Sequence, residues 1–207
     1  MTSELTLKRI ALVESTLTSC SSGLYERQEV INALMQSLDN FGSKLHRVFN
    51  FRPRLVVSSQ DNKFESDLEY IALVRLSGEV QTLHCSIFSL AAQCYNLDCQ
   101  VATTLYKRER RTIPFEDFKA LFACFRHSNR LAKRFEINSK GAINTIDHTL
   151  KSIMDNVKYQ RSDAVSSRKL LGMIRQYIVM VKHHFEFIIR NSNEVILILS
   201  HQICLKE

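Results

Sequence analysis

Residues 70–88 read YIALVRLSGEVQTLHCSIF, and whether they fold as a strand pair or as a helix decides the fold class. Residues suited to strands flank Ser77-Gly78 on both sides, and two residues ending in Gly are a hairpin signal. Pairing across that turn sets Val74 opposite Gln81, Ala72 opposite Leu83 and Tyr70 opposite Cys85. The face so formed is mainly apolar, as a sheet packed on helices requires. The spacing predicts a β-hairpin here, with short strands at 54–58 and 100–106. The intervening SLAAQCYN (89–96) fits helix and strand equally.

The flanks on either side carry helical periodicity. Ile10, Val13 and Leu17 recur at steps of three and four, Ser21-Ser22-Gly23 punctuates, and Ile31, Leu34, Leu38, Phe41, Leu45 and Val48 resume the pattern. Two amphipathic helices follow, at about 3–19 and 24–49. Pro53 disfavours helix at the residue before it and closes the second. Pro114 sits where a helix starts, with Glu116 and Asp117 placed to complement its dipole. That helix is expected to run to about 136 and to bury Phe118, Leu121, Phe122, Phe125, Ala132 and Phe135.

The most regular pattern comes last. Ile143, Ile146, Leu150, Ile153 and Val157, then Leu171, Ile174, Ile178, Val181, Phe185 and Ile188, then Val195 and Leu199 alternate steps of three and four. The register crosses a polar stretch, YQRSDAVSSR (159–168). One helix over 140–204 and a helical hairpin folded at that stretch both satisfy it. The hairpin is preferred, because single helices of more than ~50 residues are rare in compact domains. A seam of this kind suits coiled-coil or bundle packing, and residues 171–188 within it offer a face for self-association or a helical partner.

These elements predict a predominantly helical α+β fold. A small antiparallel sheet is flanked by N-terminal helices and a long C-terminal helical hairpin or coiled coil. The 207 residues suit a single domain, 1–207, with a helical pair at 1–50, a β-rich region at 51–113 and a helical region at 114–207. With 45% hydrophobic and 24% charged residues the chain can bury a core, which excludes wholesale disorder. No apolar run approaches the ~20 residues needed to span a bilayer. The N-terminal stretch carries Glu4 and Glu14 and lacks the apolar centre of a signal peptide. Six scattered cysteines (Cys20, Cys85, Cys94, Cys99, Cys124, Cys204) read as reduced thiols. A soluble, cytoplasmic protein with no membrane partner is the expectation.

The net charge of +7 is concentrated. Between 105 and 134 stand Lys107, Arg108, Arg110, Arg111, Lys119, Arg126, Arg130, Lys133 and Arg134, nine cations against only three acids, Glu109, Glu116 and Asp117. Lys119, Arg126, Arg130 and Lys133 recur at steps of seven, four and three and share a helix face. Such a patch fits phosphate or an acidic protein surface; a solvated face with no specific partner is the plain alternative. The phenylalanines of this segment fall at core spacing, which speaks against stacking on single-stranded bases.

The stretch 131–154, LAKRFEINSKGAINTIDHTLKSIM, also fits a helix-turn-helix. Asn138 would cap its second helix, Ala142, Ile146 and Leu150 would face inward, and Lys140, Asn144, Thr145 and His148 outward. A packing helix explains the same residues. No phosphate loop, nucleophile elbow or HExxH motif occurs. His84, Cys85, Cys94 and Cys99 lack the close pairing of a structural zinc site, and Asp147 and His148 are neighbours that do not face each other on a helix. No cofactor, metal or catalytic group is therefore assigned. The functional expectation is a non-enzymatic regulator that binds nucleic acid, DNA included, through residues 107–134 with Lys140. The alternative is an adaptor acting through the seam and through self-association.

Overall fold

The computed structural model describes the backbone of residues 2–50, 61–109, 113–158 and 164–204, and the side chains of 15–43, 45, 70–107, 113–157 and 168–201. Four long helices make up the described chain: α1 (Thr2–Asn50), α2 (Asp61–Thr104), α3 (Phe115–Lys158) and α4 (Ala164–Cys204). A π-helical turn, Leu105–Glu109, extends α2. Among the described residues there is no strand, so the fold is all-helical and not α+β. The segment proposed for a strand at 54–58 lies outside the described residues.

The expected hairpin at 70–88 lies in the middle of α2. Local alternation lost to a longer pattern. Leu73, Leu76, Val80, Ile87, Leu90, Cys94 and Val101 are all buried, and Leu83 and Leu97 complete steps of three and four from 73 to 101. No hairpin of that length could keep such a face apolar, whereas a helix turns every member of it to one side. Val74 and Tyr70, expected to face a core, are exposed. The predicted strand at 100–106 is helical for the same reason, with Val101 and Leu105 buried.

α1 also runs through its expected break. Leu17, Leu24, Ile31, Leu38 and Leu45 recur every seven residues and are each at most 1% exposed. Ser21-Ser22-Gly23 costs some helix propensity, and this seam outweighs it. α3 starts after Pro114, whose carbonyl accepts the Phe118 amide at 2.9 Å, with Glu116 and Asp117 in its first turn as expected. It then continues past 136 to Lys158. Asn138 and Gly141 lie inside one helix, so the turn a helix-turn-helix needs is absent. At the C-terminal end the chain forms two helices, α3 and α4, and the Thr149 hydroxyl lies 3.8 Å from Met173 Sδ.

The chain divides into two compact units, each taking a segment from every helix. Unit 1 comprises residues 1–33, 90–135 and 183–207. Its core holds Leu17, Leu24, Val101, Leu121, Phe125, Val195 and Leu199. Unit 2 comprises residues 34–89 and 136–182. Leu38, Leu45, Leu76, Ile87, Ile146, Leu150, Ile174 and Val181 are buried in it. There Tyr177 Oη bonds His84 Nδ1 at 2.8 Å and lies 3.4 Å from the buried Ser139 hydroxyl.

A buried polar layer crosses unit 1. Arg27 occupies the apolar register of α1, and its guanidinium donates to Asp98 on α2, to Ser192 on α4 and, at 3.2 Å, to the Cys94 carbonyl. Ser128 on α3 donates to Asp98 and receives a 2.7 Å bond from Asn191 Nδ2. Burial pushes the Asp98 carboxyl up, opposed by the Arg27 charge and by the bonds from Arg27 and Ser128. All four helices thus meet in one hydrogen-bonded set.

Two substitutions test this architecture. Gly78 is an exposed mid-helix glycine with open space around its Cα, so Gly78→Ala should raise stability by about 0.5–1 kcal/mol in urea denaturation. A turn glycine would respond with a loss. Arg27→Ala strands the Asp98 carboxylate and should cost about 3–5 kcal/mol, most of it regained when Asp98→Leu is added.

Candidate nucleic-acid interface

The N-terminal part of α3 turns one edge to the core of unit 1, with Leu121, Phe125, Ser128 and Phe135 buried. At ~100° per residue the opposite sector carries Phe115, Lys119, Phe122, Arg126, Arg130 and Lys133, and every one is exposed. Arg134 stands at its margin, also exposed, and Lys107 is exposed on the π-helical turn. Lys119 lies 3.9 Å from Glu116, a long contact between two solvated side chains that holds it weakly. Among the described residues no ion pair engages Arg126, Arg130, Lys133 or Arg134. Their charge is open to an outside partner.

Not every expected member joins this group. Arg110 and Arg111 lie outside the described residues, as does the side chain of Arg108. Lys140, with Asn144 and His148, belongs to unit 2. Lys140 bonds Glu136 at 2.7 Å and stands 5.3 Å from the centre of the Phe88 ring, so it already has partners. Of the seam residues, Ile174, Ile178 and Val181 are buried in unit 2, and Phe185 and Ile188 in unit 1; Leu171 is half-buried. A partner helix would have to displace neighbours already in place.

The aromatic residues differ most from expectation. Phe122, assigned to the core from its spacing to Phe118 and Phe125, is 42% exposed. Phe115 is 74% exposed and Tyr106, on the π-helical turn, 44%. Tyr106, Phe118 and Phe122 form a ring cluster with centroids 5.9–6.4 Å apart. The signal was present in the sequence: Phe122 stands three residues after Lys119 and four before Arg126, inside the basic sector. Arg27 carried a similar flag, a charge in step with Leu17, Cys20, Leu24 and Ile31.

Other chemistry finds little footing. Among the described residues no three His, Cys, Asp or Glu side chains converge to hold a metal ion. The Cys94 and Cys124 thiols are pushed up to about 11, chiefly by burial, which leaves them unreactive. No helix among the described residues is long and apolar enough to cross a membrane. No family model, no curated protein and no solved structure matches this chain.

His184 plays a structural part with a pH consequence. It stacks on Phe135 with ring centroids 3.9 Å apart, its Nε2 is buried without a partner, and burial lowers its pKa to about 4. The unfolded chain takes up a proton at the ordinary value near 6.5 that the folded chain refuses. Stability should therefore fall by about 3 kcal/mol from this group as pH drops from 6.5 to 4. His184→Phe should keep the stack and remove that part of the pH dependence, measured as the difference between variant and wild type in urea denaturation.

Proposed function

We propose that this protein binds nucleic acid through the exposed basic face of α3 in unit 1. The supporting observation is a set of cations, Lys119, Arg126, Arg130 and Lys133, aligned on one side of a helix, of which Lys119 has only a long solvated contact with Glu116 and the other three have no ion pair among the described residues. From Lys119 to Lys133 the helix rises ~21 Å, so the charges follow a line as a phosphate backbone does. A rigid helix presents them without the ordering cost a flexible loop would bring. Lys107 adds a further charge on the π-helical turn. Binding of this kind releases counterions and weakens as salt rises. Base-edge reading by Lys140, Asn144 and His148 is no part of the proposal, since it required the helix-turn-helix that the continuous α3 replaces.

The test is fluorescence anisotropy of labelled oligonucleotides across a salt series. Affinity should fall linearly on a log–log plot, and Arg126→Glu with Arg130→Glu should reduce the slope by about 2 while leaving the helical spectrum intact. Binding at low salt that ignores this double charge reversal would refute the assignment, as would no binding at all.

A further inference from the structure

Resting on that reading, we infer that the preferred ligand is single-stranded nucleic acid, held by stacking of its bases on the aromatic residues Tyr106 of the π-helical turn and Phe115 and Phe122 of α3. A duplex keeps its bases stacked on one another and offers a protein only their edges and the phosphates. Against such a ligand the exposed rings of Phe115, Phe122 and Tyr106 gain little. A single strand exposes base faces, and aromatic rings beside a cationic track are what holds it without regard to sequence. The structure sets these two components side by side. Phe115, Lys119, Phe122 and Arg126 alternate ring and cation along one sector of α3, and Tyr106 lies 6.4 Å from Phe122 by ring centroids. Folding leaves Phe115 mostly exposed and Tyr106 and Phe122 partly so, although Phe118, stacked on Phe122, is half-buried.

The same alternation disfavours a lipid surface. An interfacial helix needs a continuous apolar sector that sinks below the headgroups, with its cations on the flanks. Here Lys119 and Arg126 lie within the sector that holds the rings. An acidic protein surface would use the cations but would leave the rings without their matching flat partners.

The chain contains no tryptophan, so Phe122→Trp introduces a unique fluorophore on the stacking surface. Added oligothymidylate should quench its emission, and a duplex of equal length should not. Phe115→Ala with Phe122→Ala should weaken oligothymidylate binding roughly five- to a hundredfold, with duplex binding changed less than about twofold. Phe115 is mostly exposed, so Phe115→Ala alone keeps the comparison open if the pair folds poorly. Equal, salt-sensitive affinity for both forms with no quenching overturns the single-strand inference and leaves the basic-face proposal standing. Absence of salt-sensitive binding to either form overturns both. A blue shift on phosphatidylserine vesicles without oligonucleotide quenching also overturns the inference and assigns the face to a membrane surface.

Discussion

Arg27 enters the apolar register of α1 with its side chain almost wholly buried, and a buried guanidinium is costly unless its charge and most of its hydrogens are met. Asp98, the Cys94 carbonyl and Ser192 meet its charge and its Nη1 and Nη2 groups, while Nε is buried without a partner, and Ser128 and Asn191 complete the set. Heptad seams alone leave α-helices free to slide by whole heptads, since every apolar layer resembles the next. One charged layer removes that freedom. With Arg27 matched to Asp98 and Ser192, the cores of unit 1 fall into step, and the outward sector of α3 is placed by what its inward sector must touch. The basic face depends on that constraint.

Length has a functional consequence here. Within unit 1, α3 packs one edge on the core and leaves the opposite edge exposed from Phe115 to Lys133. Short helices and loops would scatter Lys119, Arg126, Arg130 and Lys133; α3 keeps them in line. The core-facing residues of α3 and α4 fulfil the seam that the sequence displays, and in doing so take it out of play as an outer surface. Ile174, Val181 and Phe185 are among the least exposed residues of the chain. What is left for a partner is the polar side, and on α3 that side is cationic with aromatic rings set into it. The proposed recognition and the folding would therefore use opposite faces of one helix.

The departures from the sequence reading share a cause. Residues 70–88 alternate well enough for a hairpin within a short window, and Ser77-Gly78 looks like its turn. The competing period of three and four extends to Val101 and becomes decisive only when other helices supply the surface that buries it. Ser21-Ser22-Gly23 and Asn138 misled similarly: each is a local stop signal, and each lies within a seam whose tertiary contacts exceed the small local cost. In these segments long-range packing overrides local propensity.

The sequence by itself determined that long helical seams run at 143–157 and 171–199, that α3 starts next to Pro114, and that the positive charge gathers at 107–134. Periodicity and composition are properties of the chain and need no partner to be read. Only the tertiary structure decided that residues 61–104 are one helix, that Arg27 and Asp98 form a buried pair, and that Phe122 faces solvent beside Lys119 and Arg126. Those outcomes depend on which neighbours arrive to cover each face. Burial is a relation between segments, and Arg27 and Asp98 stand 71 residues apart in the chain they hold together.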